Sequence, residues 1–505
     1  MKNTHSTSVK IVGFMALLAV VFGVSSCYVT PASPQYDTDL VALTDNNMLL
    51  KLNAADPSVI TKQFTIKGLA VDEKILAIDF RPATGQLYGV SNTSRLYVIQ
   101  PDSGTARVIG TAAFAPALSG TVVGLDFNPT VDRIRLVTNT GQNLRLNPET
   151  GTVAATDLAL NPSTPSVSEV AYTNNTAGST TTTLYDIDVA TDKLYIQNPP
   201  NNGTLVEVGD LGVNAEGASG FDITDNNLAW AALRVDGVSR LYVVNLTTGR
   251  VLKVGNAAFS RDIIGLAVPT NPVAYAADMM NNLLIFNPFD PQPIAKTITG
   301  LQTGETVLGL DMRPANGQLY ALGSSSRLYT INTSSGAATA VGTAAFTPAL
   351  NGTAFGFDFN PTVDRIRIIS NTGQNLRAHP ETGVIAATDG NINPSGAPIT
   401  AAAYTNNFAG ATTTTLYVLD AQNQRLYIQN PPNNGTLVNV GGALNVGFTA
   451  ENGFDISSRG NRAFALLNNE GTLKLYELNL TTATFGKPTP FPRPTVTGFT
   501  LGLGL

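Results

Sequence analysis

Residues 77–110 read AIDFRPATGQLYGVSNTSRLYVIQPDSGTARVIG, and this stretch decides the fold. Four short runs (AIDF, QLYGV, RLYVI and ARVIG) are rich in aliphatic, β-branched and aromatic residues. Between them lie clusters of Gly, Pro, Asn, Asp and Ser, which reverse the chain. The pattern predicts four consecutive antiparallel strands within about 35 residues, one small sheet with no helix. Further units open at GLDF (Gly124–Phe127), VAYT (Val170–Thr173) and GFDI (Gly220–Ile223). A spacing of roughly 40 to 50 residues is that of four-stranded propeller blades. A β-sandwich array would not give such even units.

The pattern then repeats. Leu118–Thr150 and Leu350–Thr382 agree at 24 of 33 positions, and Leu194–Val206 and Leu426–Val438 are identical (LYIQNPPNNGTLV). The offset is constant where Asp79 matches Asp311, Asp126 matches Asp358 and Gln197 matches Gln429. It slips by one where Phe221-Asp222 matches Phe454-Asp455. A tandem duplication accounts for this, with copies over 39–268 and 269–505 and about ten blades in all.

Residues 39–68 lack an innermost strand. IIGLAV (Ile263–Val268) reads as one, paired with VAYAAD (Val273–Asp278), and the terminal TGFTLGLGL (Thr497–Leu505) matches it in character. That terminal strand is expected to complete the first blade and so remove an open edge. Either one ten-bladed ring or two five-bladed rings obey this rule. The linker Pro269–Pro272 spans at most roughly 14 Å and reads as an ordinary in-blade turn, which favours the single ring.

The segment 1–27 differs from the rest. Lys2, His5 and Lys10 precede the apolar run IVGFMALLAVVFGV (Ile11–Val24), and Ser25-Ser26 lead to Cys27, the sole cysteine. The run has signal-peptide proportions, and VSSC resembles the bacterial lipobox, whose cysteine is lipidated. The expectation is export, a lipid anchor on Cys27, a tether over 28–38, and residence in the bacterial envelope at the outer membrane, facing periplasm or surface. With a net charge of −6, 13% charged residues and no Lys/Arg cluster, the chain lacks the footprint of a nucleic-acid partner.

The linked motifs DFRPATGQLYGV, GLDFNPTVDRIR, NTGQNLRLNPETG and AYTNN resemble the DUF4394 family. The resemblance covers nearly the whole chain after Cys27, twice. It implies exported, often lipid-anchored β-propellers, and carries no established activity or catalytic residue.

Chemistry has few places to reside. His379 is the only histidine beyond the signal segment, and its counterpart is Asn147. One imidazole and no thiol leave no basis for a catalytic triad or an ordinary zinc site. Aspartates recur instead on the innermost strands: Asp79, Asp126 and Asp222 in the first copy, Asp311, Asp358 and Asp455 in the second. An Asp ahead of Phe-Arg-Pro or Phe-Asn-Pro can accept hydrogen bonds from its own turn, which is the favoured reading. The other readings are a ligand or Ca²⁺ held on the axis, since hard cations take oxygen donors, and acid/base catalysis. No other cofactor is expected. In DRIR, Arg133, Arg135, Arg365 and Arg367 are expected to pair with neighbouring blades or with Asp132 and Asp364.

The functional expectation is a non-enzymatic module binding a protein, glycan or other ligand, or an envelope scaffold. The alternative is a propeller hydrolase or lyase acting on sugars or lactones, which needs carboxylates about 5 to 10 Å apart in one reachable pocket.

Overall fold

The computed structural model describes residues 36–162, 165–493 and 495–505. The expected signal segment, the lipobox-like VSSC with Cys27 and most of the expected tether lie outside the described residues. Among the described residues are ten antiparallel sheets of four strands, one carrying a short fifth. No described helix is long and apolar enough to cross a membrane.

The sheets are blades of two closed five-bladed rings. The innermost strands of the first ring are Ile263–Ala267, Ile75–Arg81, Val123–Asn128, Val167–Tyr172 and Gly220–Ile223, each packed against the next and the last against the first. In the second ring they are Gly498–Leu501, Val307–Arg313, Phe355–Asn360, Ile399–Tyr404 and Asn452–Ile456, closed in the same way. Close approach at the axis explains glycine there. A Cβ on Gly124 would sit 2.8 Å from the backbone of Glu169 on the next blade, and one on Gly220 2.5 Å from that of Leu266.

Closure corrects two expectations. Ile263–Ala267 does not pair with the strand that follows it; it returns to Asp39–Thr44, with Leu266 opposite Ala42. The terminal strand completes the sixth blade rather than the first, with Thr500 opposite Tyr275. The preferred single ring of ten is therefore replaced by two rings of five. Residues 269–272 bridge the rings instead of turning within a blade. The physical reason is that five twisted blades already bring the end of a copy back to its start, so each orphan blade finds its missing strand in its own copy.

Blades are held together by apolar layers between neighbouring sheets. Tyr88 of the second blade and Phe127 of the third meet edge to face at 5.1 Å, and Tyr320 and Phe359 repeat the contact at 5.1 Å. Both phenylalanines are fully buried, and each such ring contributes about 1.5–3 kcal/mol.

Contacts also join the two rings. The Tyr275 hydroxyl donates to the Ala83 carbonyl at 2.8 Å, and the Gly504 N–H donates to the Thr84 carbonyl at 2.7 Å. These loops cross from one ring to the other.

Candidate functional site

The six aspartates gather on the ring axes, three in each. Within Asp79, Asp126 and Asp222, and within Asp311, Asp358 and Asp455, carboxylate oxygens lie within 4.8 Å of one another. All six are at most 1% exposed. Strand alternation puts them there, since each occupies the axis-facing phase of an innermost strand.

Their partners show what the position does. Asp79 accepts the N–H of the following Phe80 at 2.7 Å and that of Phe127, on the next blade, at 2.8 Å. Asp222 does the same with Ile223 (2.6 Å) and Val268 (2.5 Å), and Asp311 with Met312 and Phe359 (both 2.7 Å). Asp455 accepts Ile456 at 2.6 Å and Leu501 at 2.7 Å, and Asp358 accepts Tyr404 at 3.0 Å. The carboxylates fasten one blade to the next rather than the first hairpin to itself.

The rings differ in one respect. In the second, the Thr500 hydroxyl sits between Asp311 (2.9 Å) and Asp455 (3.0 Å). In the first, the matching position is Ala267, and both oxygens of Asp126 are without a hydrogen-bond partner. Burial pushes Asp79, Asp126, Asp311 and Asp358 well above the usual carboxylate range, and the neighbouring aspartates push the same way. Asp222 and Asp455 are raised by burial to about 7, against backbone N–H donors that lower them.

Other predicted residues fall elsewhere. Arg135 pairs with Asp157 (2.7 Å) and reaches Asn201 of the PPNN loop (2.8 Å), and Arg367 repeats this with Asp389 (2.6 Å) and Asn433 (2.8 Å). Arg133 and Arg365 do not pair with the neighbouring acids: each donates to the backbone carbonyl of Asp132 or Asp364 at 2.8 Å. Those two carboxylates are taken by Arg81 and Arg313. The His379 Nδ1 accepts the Glu381 N–H at 3.1 Å, a turn contact.

The sequence reading does not anticipate a cleft between the rings. It encloses about 750 Å³, with Gln86, Gln100 and Arg107 on the second blade facing Phe408, Gly410 and Arg459 of the second ring. A hollow of about 390 Å³ holding Lys51 and Lys62 shares Arg459 with it. Asp102 pairs with Lys51 at 2.6 Å and with Arg459 at 3.2 Å. Among the described residues Arg107 forms no ion pair; its one hydrogen bond goes to the Val108 carbonyl at 3.4 Å. Burial pulls the Arg107 and Arg459 guanidinium groups down from their usual range.

The duplication explains why this cleft exists. In the first ring the loop around Gly178 packs onto the second ring: a Cβ on Gly178 would meet Ile294 at 3.3 Å and Ile285 at 3.6 Å. Only about 10 Å³ of space remains beside it. Gly410 is the equivalent glycine of the second ring, and nothing lies within 4 Å of its Cβ position. Ile285 stands opposite Ile294 on paired strands, and the same cross-strand pair in the first ring is Lys51 opposite Lys62. One seam is closed against isoleucines, and at its counterpart the equivalent pair is two lysines and the cleft is open.

Three solved structures share broad likeness, each with a TM-score of 0.26. They are the extracellular domain of BT4673 from B. thetaiotaomicron (12% identity, 90% of this chain and 65% of that one), PorZ, a surface component of the type-IX secretion system of Porphyromonas gingivalis (14%, 91% and 59%), and the Dos1 propeller (11%, 66% and 90%). The chain thus spans less than two thirds of the first two, and likeness at this level carries no functional argument. No curated protein matches the chain significantly. The family model described as Domain of unknown function (DUF4394) matches residues 48–267 and again 282–500. With the motifs repeated in both rings, the chain belongs to the DUF4394 family.

Proposed function

We propose that the protein is a non-enzymatic, lipid-anchored binding module of the bacterial envelope that takes an acidic saccharide between its two propellers. The carrying observation is the pair of seams: Gly178 closes on Ile285 and Ile294, whereas Gly410 faces an open cleft lined by Arg107 and Arg459, with Lys51 and Lys62 in the hollow that shares Arg459 with it. Like charges directly opposite on paired strands cost stability, and Asp102 offsets only part of the local charge. An anion relieves the rest.

The chemistry favours a sugar acid over a protein surface. A cleft of about 750 Å³ lies in the range of small-ligand sites. Guanidinium forks suit a carboxylate, Gln86 and Gln100 suit hydroxyls, and Phe408, 38% exposed, offers an apolar face to a pyranose ring. The hydrolase or lyase reading relied on the axial aspartates. They are sealed from solvent and closer together than a glycosidase pair, so they give it no support.

Calorimetric titration with oligogalacturonates and with neutral oligosaccharides of equal length tests the reading. We expect binding of the acidic series alone, weakened at least about tenfold in Arg107→Ala by loss of a charge-assisted pair. It should also be lost in the Lys51→Ile/Lys62→Ile double variant. Equal binding of neutral sugars, or indifference to both changes, overturns it.

A further inference from the structure

We infer that the axis of the first propeller is a divalent-cation site for Ca²⁺ and that the axis of the second is not. The two triads look alike as lists of aspartates; their surroundings separate them.

In the second ring each aspartate of the triad has at least one hydrogen-bond partner. Thr500 donates to the Asp311–Asp455 pair, Asp358 accepts the Tyr404 N–H, and position 401 is alanine. In the first ring that hydroxyl is missing, because Ala267 stands where Thr500 does. A fourth acid is present instead. Glu169 occupies the place of Ala401 on the innermost strand Val167–Tyr172. Its Oε1 accepts the Leu125 N–H at 3.0 Å, and its Oε2 has no partner. Glu169 is 2% exposed and Asp126 1%, and both Asp126 oxygens are also unpartnered.

Three buried carboxylate oxygens without donors, beside two further acids, are costly in any protein interior. A cation on the axis removes that cost. Ca²⁺ bonds oxygen at 2.3–2.6 Å, so ligands on opposite sides of one ion lie about 4.6–5.2 Å apart, and triad oxygens within 4.8 Å of one another fit around it. A carboxylate oxygen has two lone pairs, so Asp79 and Asp222 can ligate while keeping their N–H donors.

This inference is independent of the cleft. Its test is the metal content of the full chain, purified with Ca²⁺ and dialysed free of loose ions. We expect about one Ca²⁺ per chain, and a melting temperature that rises with added Ca²⁺ and falls with chelator. Glu169→Ala installs the residue that the second copy carries at the same position, so the fold tolerates it; occupancy should drop at least about tenfold as a buried negative charge near the triad is lost. Asp126→Asn should act likewise, whereas Asp358→Asn should leave occupancy unchanged. No bound ion, two ions per chain, or an unchanged ion in Glu169→Ala overturns the assignment.

Discussion

Arg81 grips Asp132 with two parallel hydrogen bonds, 2.9 Å from Nε and 2.5 Å from Nη2, and neither side chain is more than 6% exposed. The pair ties the second blade to the third where the rings meet, since Arg81 also donates to the Gly317 carbonyl of the other ring at 3.3 Å. Its duplicate, Arg313 with Asp364, keeps the same two distances, but Asp364 is 36% exposed. Breaking a buried pair leaves a charge with no water, at about 3–5 kcal/mol, whereas solvent limits the cost at the second site to about 1 kcal/mol. Arg81→Met should therefore destabilise far more than Arg313→Met. Urea unfolding of both variants checks the ranking.

The two seams give a matched comparison. Gly178 and Gly410 share a left-handed conformation, with φ of 88° and 84°. Alanine at either position incurs the same backbone strain, about 1 kcal/mol. At Gly178 the new methyl also presses on Ile294, and at Gly410 it meets nothing. Gly178→Ala should lower the melting temperature more than Gly410→Ala. Equal losses would mean that the isoleucine seam does not hold the rings together.

Stability should fall as pH rises from about 4 to about 7 in the presence of chelator. Asp455 titrates near 7 when folded, because burial raises it, and near 3.8 when unfolded. Between those values the folded chain holds a proton that the unfolded chain has released, so its contribution is complete below 3.8 and is lost as pH climbs to about 7. Asp455→Asn should flatten that slope, whatever it does to absolute stability. Urea midpoints at pH 5 and pH 8 for both proteins measure it.

Anchoring is tested by location. Cys27→Ala should release the protein from the membrane fraction or block its processing. A membrane-bound, mature-sized variant would remove Cys27 as the anchor.

Much of the architecture was legible because it is local. Strand count, blade spacing and the axial phase of the aspartates follow from runs such as AIDF and GLDF and from a side-chain period of two. Ring number was not local. Residues 269–272 have the length and composition of a blade turn, and only the return of Ile263–Ala267 to Asp39–Thr44 decides the matter. The partners of the aspartates were hidden for the same reason: Phe127 and Val268 lie 48 and 46 residues beyond Asp79 and Asp222.

Glu169 had a signal that a search for sameness passes over, because it breaks the repeat against Ala401. Lys51 and Lys62 were masked differently. Lys51 matches Ile285 and Lys67 matches Thr299, so the offset between the copies changes by two within this one blade. A single offset therefore aligns Lys62 with Ile294 but fails to align its partner Lys51 with Ile285.

The two strand returns also impose an order of assembly. Each ring is shut by a pairing between residues about 220 positions apart, an entropic cost that is met only when both ends exist. A chain synthesised from its N-terminus has Ile263–Ala267 in hand while most of the second copy is still to come, so its first ring can finish alone. Ala274–Ala277 must then wait for Gly498–Leu501 with one side of its ladder bare. During that interval the nascent molecule is half finished and sticky. Each propeller in turn is thus open to proteases and chaperones until its closing strand is made, the second after the first.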